Sequence, residues 1–471
     1  MKTKSLVFKY VILDFLTASS SWILFFIFRK LYIEPLKFGY EIPISISSKF
    51  LLGLSAIPLS WIALYFLTGY YRDVLRKSRL EDVIVTFSQT LIGVFIIFFF
   101  LILDDYVSSY KNYYLLFSVL FILHFVLTLI ARWILTTISV SNINNRKIGF
   151  NTIIIGANEP AYQIYNDLNS QVKSAGNFVI GFVDVHHHEH YSLSKQVPHL
   201  GTLDNLEKLV HKHNIQEVII ALNPNEFDQI NTIINKLGLC NVIIKVIPEM
   251  YSVLSGRVKM DHLYGTHLIL LNQNLMPSWQ QNIKNLIDIL ISVIALLITF
   301  PLLLFIGIGI KLTSPGPILY SHVRIGQFGK PFHIYKFRSM YINSEINGPE
   351  LSRKNDHRLT SLGKFLRKYR LDEIPNFLNV IKGDMSLVGP RPEREYYIKQ
   401  IIKRAPHFIH LQKVKPGITS WGQVKYGYAE NVDQMIKRLS YDIMYIENMS
   451  LFVDFKILLY TILTIIRGRG L

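Results

Sequence analysis

Two adjacent carboxylates stand among cations in the stretch Arg367-Lys368-Tyr369-Arg370-Leu371-Asp372-Glu373-Ile374-Pro375. Pro375 suits the first turn of a helix over Asn376–Lys382 that ends at Gly383, so both acids lie near a helix N-terminus. The positive end of that helix and the nearby guanidiniums favour the ionised carboxylate, and lowered pKa values are expected for Asp372 and Glu373. An ionised carboxylate is what a nucleophile or a magnesium ligand must be. It is equally what a plain counter-charge to Arg367 and Arg370 must be, and the residue types leave both roles open.

More cations flank this pair. Ile318–Ile325 and Pro331–Met340 read as two strands around the turn Gly326-Gln327-Phe328-Gly329. Side chains alternate along a strand, which puts Lys336 and Arg338 on one face and Tyr335 and Phe337 on the other. Two cations on a short strand face suit a diphosphate, although a solvated strand face has the same pattern. Downstream, Pro390-Arg391-Pro392 freezes the backbone around one guanidinium, a planar fork for phosphate. Arg324, on the first strand, and Arg438, on a helix four residues before Asp442, complete the candidate phosphate ligands. Between the strands and the acids, Leu362, Phe365, Leu366 and Tyr369 recur with helical period, opposite Lys364, Arg367, Lys368 and Arg370.

Composition says where such a site must work. The 471 residues are 50% hydrophobic, with a mean hydropathy of +0.28. Only 18% are charged, against about 25% in ordinary globular chains. This excludes a disordered chain and argues against a wholly soluble one. The 50 Lys and Arg against 33 Asp and Glu give a formal charge of +17. Residues 311–471 hold 26 of the cations and 13 of the acids, so the excess is concentrated around the candidate site. Such a patch suits nucleic acid, anionic lipid or a phosphorylated small substrate. The single cysteine, Cys240, excludes an intrachain disulfide framework and any multi-thiolate metal site.

Four apolar stretches near 6–28, 50–70, 83–103 and 113–138 are each long enough to cross a bilayer. Asp14 lies inside the first and is expected to face another helix or to sit near the interface. Arg72, Arg76, Lys77 and Arg79 after the second stretch place that loop, and the N-terminus, on the cytoplasmic side. A soluble α/β domain with a parallel sheet is expected next, with strands at Thr152–Gly156, Phe178–Val183, Glu217–Leu222 and Val242–Val246. Its first strand ends in one glycine, Gly156, where a dinucleotide fingerprint needs three. His186-His187-His188-Glu189-His190 is read as a solvated loop. Residues 286–310 form another long apolar segment, in which Pro301 should break or sharply kink the helix. A helix that enters one leaflet and returns would keep both flanking domains on one side. Lys284 and Asp288, four apart at its entry, are expected to form a salt bridge there. Leu451–Ile466 reads as an interfacial helix.

With these segments in view, the chain resembles the bacterial polyprenyl-phosphate sugar-phosphate transferases, in particular the large monotopic phosphoglycosyl transferases that include undecaprenyl-phosphate glucose phosphotransferases. The likeness is carried by the Lys284…Asp288 helix start, Ser314-Pro315-Gly316-Pro317, Lys336-Phe337-Arg338-Ser339-Met340, Leu371-Asp372-Glu373-Ile374-Pro375-Asn376, Gly383-Asp384-Met385-Ser386-Leu387-Val388-Gly389-Pro390-Arg391-Pro392-Glu393 and Lys415-Pro416-Gly417-Ile418-Thr419. The fold it implies is that of a membrane protein of α plus α/β class. Residues 1–140 would form a four-helix transmembrane bundle and 151–272 a cytoplasmic Rossmann-like domain without an intact fingerprint. Residues 280–471 would form a monotopic mixed α/β catalytic domain with a re-entrant helix over 284–311.

The resemblance implies a sequence of two transfers. Asp372 attacks the phosphate next to the sugar of a UDP-sugar, UMP leaves, and undecaprenyl phosphate then takes the phosphosugar from the aspartate. Magnesium bridges the diphosphate, with Asp372 and Glu373 as its protein ligands. Arg367 matches the family arginine upstream of the acids, whereas Arg370 stands where many members carry a small polar residue. The implied location is the bacterial cytoplasmic (inner) membrane, with the catalytic domain on its cytoplasmic face, in contact with lipid and in a homodimer. No nucleic acid is implied. A membrane nucleotide-sugar dehydratase would share such an N-terminal half, but it needs the glycine fingerprint and a Tyr-x-x-x-Lys pair. Tyr191 and Lys195 have that spacing but lie in the His-rich loop. A non-catalytic scaffold for polysaccharide assembly would leave Asp372 unremarkable.

Overall fold

The computed structural model describes residues 2–40, 43, 46, 48–102, 110–185, 192–222, 227–247, 268–271, 275–342, 344, 348, 350, 351, 356–427 and 429–466. The cluster His186-His187-His188-Glu189-His190 and Tyr191 lie outside these. Two compact units are present: residues 1–149 with 173–176, and residues 150–172 with 177–471.

The first unit is helical. Its elements are α1 (Lys2–Phe28), the short α2 (Glu34–Phe38), α3 (Ser48–Leu67), α4 (Arg79–Ile97) and α5 (Tyr110–Asn144). Helix α1 packs on α3 and α5, and α4 packs on α5. Their outward faces are apolar: Leu16, Leu52, Ile84 and Ile130 are all more than half exposed. Their shared interior joins an apolar core, with Phe25, Trp61 and Leu120 buried, to a polar cluster. Arg132 is fully buried and donates through Nε and Nη2 to the two oxygens of Asp14, at 2.9 and 3.0 Å. Its Nη1 donates to Thr86 and Gln89, each at 3.0 Å. The guanidinium also lies 4.1 Å from the ring centre of Tyr65 and 3.6 Å from that of Tyr70. Of the two positions expected for Asp14, it takes the one that faces another helix.

The second unit opens with a six-stranded sheet in the order β3-β2-β1-β4-β5-β6. Its strands are β1 (Phe150–Ile155), β2 (Asn177–Asp184), β3 (His199–Thr202), β4 (Glu217–Ile220), β5 (Ile243–Val246) and β6 (Ile269–Leu271). The first five are parallel, with Ile154 opposite Phe182 on one side and Ile219 on the other, and β6 is antiparallel. Among the described residues three helices connect them: α6 (Glu159–Ser170), α7 (Leu206–Lys212) and α8 (Phe227–Lys236). Gly156 has φ +126°, and a Cβ there would meet the Ala221 carbonyl oxygen at 2.3 Å. Close packing of β1 on the end of β4 therefore explains this glycine without a nucleotide.

Helix α9 (Ser278–Thr313) follows. Of the break or sharp kink expected at Pro301, the break does not occur: the helix runs through Pro301 without interruption. Proline removes one hydrogen bond, but the other backbone groups of an apolar segment have no better partner than their own helix. The two arms of α9 rest on the same body. In the first, Asp288 accepts from Ser386 Oγ at 2.6 Å. In the second, Ile306 and Ile310 pack with Phe337 and Leu366. Between them Leu297, Ile298 and Phe300 are 57–73% exposed. Among the described residues, α1, α3, α4, α5 and α9 contribute the five helices long and apolar enough to cross a membrane.

The remainder forms a mixed body. Strands β7 (Leu319–Ile325) and β8 (Pro331–Phe337) make an antiparallel hairpin, and β9 (Ser386–Val388) pairs in parallel with β10 (Gly417–Thr419). Around them lie α10 (Ser361–Lys368), α11 (Asn376–Lys382), α12 (Glu395–Arg404), α13 (Trp421–Lys425), α14 (Val432–Glu447) and α15 (Leu451–Ile466). Ile334, Leu387, Ile401, Leu439 and Ile457 are core residues that tie the hairpin, β9, α12, α14 and α15 together.

Candidate active site

Asp372 and Glu373 sit in a single 3-10 turn, Leu371–Glu373. Arg370 enters it in the left-handed conformation (φ 55°), and Pro375 closes it at the start of α11. Both carboxylates are buried. Helix α10, which delivers Arg367 to them, starts at Thr360, whose hydroxyl accepts from the Gly363 amide at 2.9 Å. A Cβ on Gly363 would lie 1.9 Å from the Ser339 carbonyl oxygen. Gly363→Ala is therefore expected to lower stability by about 1–3 kcal/mol through overpacking. Thermal unfolding in detergent reads this, and an unchanged midpoint would contradict the contact.

A cavity of about 440 Å³ opens over the pair, lined by eight Lys and Arg side chains and four carboxylates. It brings together Arg324, Lys336, Arg338, Arg367, Arg391, Arg438, Asp372 and Glu373, residues spread over more than a hundred positions. Glu373 is their hub: Lys336 Nζ lies 2.6 Å and Arg391 Nη2 3.6 Å from Oε1, while Arg370 Nη1 lies 3.7 Å from Oε2. Burial pushes its carboxyl up, but Lys336, Arg391 and Arg370 together outweigh burial and hold it below the usual carboxylate range. Asp372 goes the other way. Burial first, then the Glu373 charge, push it up, and Lys336 and Arg367 do not cancel them. The expectation of two lowered acids thus holds for Glu373 alone, because the cations gather on that carboxylate while burial and the Glu373 charge prevail at Asp372.

The other candidates differ in how far they are committed. Arg338 donates to the Ser314 carbonyl and hydroxyl and to the Pro315 carbonyl, at 2.7–2.8 Å. Much of its guanidinium therefore holds the Ser314-Pro315-Gly316-Pro317 turn, where a Cβ on Gly316 would strike Nη1 at 2.1 Å. Arg367 Nε donates to Ser339 Oγ at 2.9 Å. Arg438 pairs with Glu393 at 2.6 Å, while Asp442 accepts from the Gly422 amide at 2.9 Å.

Two further residues carry weight at the cavity wall. Buried Glu393 bridges Arg438 and Arg324, the latter at 3.2 Å, and so spaces two guanidiniums at the cavity wall. His322 Nε2 accepts from Arg324 Nε at 2.8 Å. Burial, reinforced by Arg324, Arg394, Lys336 and Arg391, pushes this imidazole down to about 2, so it stays neutral and can accept. Alternation along β7 does place His322 beside Arg324, a signal that could have found it.

Lys284, Asp288 and Pro301 do not line the cavity. Nor do the first two pair with each other. Lys284 Nζ binds Asp454 on α15 at 2.6 Å and the Val388 carbonyl at 3.0 Å, and Asp288 takes Ser386. Tyr445 donates to the same Asp454 at 2.7 Å. These bonds clamp the first arm of α9 to β9 and α15.

Among the described residues no three His, Cys, Asp and Glu side chains converge as a metal cage. Magnesium does not need one, since it usually keeps one or two carboxylates and takes the rest from water and substrate phosphates. Asp372 fits that pattern. Glu373 fits it only by exchanging a cation, because both its oxygens already face Lys336, Arg391 or Arg370.

The sequence model described as "Bacterial sugar transferase" matches residues 279–468, and one described as "CoA-binding domain" matches 66–248. Over 236 residues the chain is 42% identical to a UDP-N-acetylgalactosamine-undecaprenyl-phosphate N-acetylgalactosaminephosphotransferase of Aeromonas hydrophila, covering 50% of this chain and 55% of that one. It is 31% identical to a UDP-glucose:undecaprenyl-phosphate glucose-1-phosphate transferase of Xanthomonas campestris pv. campestris, covering 68% of this chain and 66% of that one. To the protein of the same name from Caulobacter vibrioides it is 38% identical over 183 residues, covering 38% of this chain and 68% of that one. The chain thus spans between about half and two thirds of the length of these relatives. The cavity, its acid pair and its eight cations all fall inside the matched 279–468 segment, and the chain belongs to the bacterial sugar transferase family.

Proposed function

We propose that the protein transfers a sugar 1-phosphate from a UDP-sugar to undecaprenyl phosphate and releases UMP, the step that would initiate a surface polysaccharide. The carrying observation is the split pair: an acid whose charge is raised in energy beside one saturated with cations, in a cavity lined by guanidiniums. Phosphoryl transfer asks for positioning and charge neutralisation above all. An Asp372 oxygen forms a bond to the phosphorus next to the sugar, and the bond from that phosphorus to the UMP oxygen breaks, with its electron pair leaving on UMP. An oxygen of the lipid phosphate then attacks the same phosphorus, and the Asp372 carboxylate leaves. Lys336, Arg367 and Arg391 receive the diphosphate. Arg324 and Arg438, spaced by Glu393, line the rest of the cavity, and Arg338 shapes its rim through the Ser314-Pro315 turn. Magnesium, held by Asp372, Glu373 and phosphate oxygens, would supply further charge neutralisation. The test is a panel of UDP-sugars read by UMP release with and without undecaprenyl phosphate. No UMP from any member would defeat the reading.

Two properties follow. A nucleophilic Asp372 must be ionised, and its pKa is raised. Activity should therefore fall with acidity through a limb above the ordinary carboxylate range. Glu373→Gln removes the charge that helps raise Asp372, so the residual activity should show that limb at lower pH. Matching pH–rate profiles for the two proteins would contradict the assignment.

For topology, the reading has α1, α3, α4 and α5 span the bacterial inner membrane and α9 enter and return, with residues 151–272 and 280–471 forming separate domains on the cytoplasmic face. It is supported by the two arms of α9 lying on one body with an exposed apolar stretch between them. The native Cys240 is buried. Cysteine placed at Lys399, whose side chain is 71% exposed, should react only with reagents that reach the cytoplasm. Labelling from outside intact cells would sink the re-entrant arrangement.

A further inference from the structure

Most cations of the cavity are engaged. Lys336 donates to Glu373, Arg367 to Ser339, Arg438 to Glu393, Arg324 to His322 and Glu393, and Arg338 to the Ser314-Pro315 turn. Arg370 differs. Among the described residues its guanidinium makes no hydrogen bond, and its ion-pair contact to Glu373 is 3.7 Å, beyond hydrogen-bond length. Yet its side chain is only 15% exposed, and it lines the cavity.

Its backbone is also unfavourable. At φ 55° and ψ 24° Arg370 occupies the left-handed region, where glycine and asparagine rest more easily. The turn itself needs no arginine side chain. It is closed by backbone bonds from the Arg370 amide to the Arg367 carbonyl and from the Glu373 amide to the Arg370 carbonyl, both 3.2 Å. A guanidinium at the cavity wall, on strained backbone and with donors that no protein group takes among the described residues, is placed to meet a ligand there. The ligand it suits is an anion, because the planar fork matches phosphate oxygens.

We propose that Arg370 is a phosphate-binding residue that sets affinity for one of the two phosphate-bearing substrates, its guanidinium taking a phosphate oxygen beside Glu373. The inference rests on the transferase reading. Arg370→Asn keeps a residue that tolerates the left-handed turn, so the full-length variant in detergent should melt no lower than the parent. The KM for the UDP-sugar and that for undecaprenyl phosphate are measured separately. A rise of about tenfold or more in the first alone assigns Arg370 to the donor diphosphate, and in the second alone to the lipid phosphate. Arg370→Lys should recover part of the loss. Both KM values within twofold of the parent, or a loss accompanied by a lower melting temperature, would overturn the proposal.

Should the parent release no UMP at all, the transferase reading fails. Arg370 is then tested by direct binding of UDP and of undecaprenyl phosphate. Weakening of either by about tenfold in Arg370→Asn supports the phosphate role. Unchanged binding of both overturns it.

Discussion

Asp372→Asn is expected to lower turnover by more than about a thousandfold while leaving the fold intact, as removal of a covalent nucleophile does in other enzymes. The amide has nearly the carboxylate's shape, so packing in the Leu371–Glu373 turn is kept. Its charge is lost, and with it the repulsion toward Glu373 that helps raise Asp372. Lys336 should stay on Glu373, since that contact is 2.6 Å and does not involve Asp372. UDP binding should therefore survive, and the loss should fall on kcat. Steady-state UMP release together with UDP titration separates the two. Turnover within tenfold of the parent would remove Asp372 from the chemistry.

The second large effect is in the helical unit. Leaving one charge of a buried ion pair without its partner costs about 3–5 kcal/mol. Arg132 and Asp14 are both fully enclosed and joined by two hydrogen bonds. Asp14→Leu should be the worse single change, because a guanidinium cannot lose its proton whereas a stranded carboxylate can gain one. Arg132→Met should be milder, and the double variant should recover much of the stability of either. The unfolding midpoint in detergent reads all three. Additive losses in the double variant would show that the two residues do not act as a pair.

What the sequence disclosed, and what it hid, divides along physical lines. Periodic patterns reported local structure. The apolar runs, the amphipathic Leu362…Tyr369 stretch, the hairpin around Gly326-Gln327-Phe328-Gly329 and four of the six strands of the α/β sheet lie where pattern places them. β3, His199–Thr202, holds no apolar run and β6 has only three residues, whereas the equally short β4 and β5 carry the apolar runs that make them legible. Partnerships were the weak point. Lys284 and Asp288 share a helix face, which made them look like each other's partner. Asp454, 170 residues further on, offered Lys284 a buried carboxylate instead. Asp454 itself read as an interfacial acid on a short apolar helix, yet it is buried between Lys284 and Tyr445.

The site shows the same division. Residue types and rigid proline turns were enough to collect the cations, and the structure places all of them around one cavity. They were not enough to say how those cations are shared. Whether an acid is lowered or raised depends on which oxygen each ammonium and guanidinium reaches, and Glu373 takes three contacts while its neighbour is left to burial. Arg338 looked like a free phosphate ligand because strand alternation gives a face but not the turn that this face meets. Pro301 does not interrupt α9, because helix rules are calibrated where water can replace a lost bond.

The central claim is a covalent phosphosugar on Asp372. The full-length protein is incubated with UDP-sugar radiolabelled at the phosphorus next to the sugar, without undecaprenyl phosphate, then quenched and digested. The expected result is label on the peptide that contains Asp372, in step with UMP release, discharged on adding the lipid phosphate and absent in Asp372→Asn. Steady UMP release with no protein-bound label, or label retained in Asp372→Asn, would contradict it.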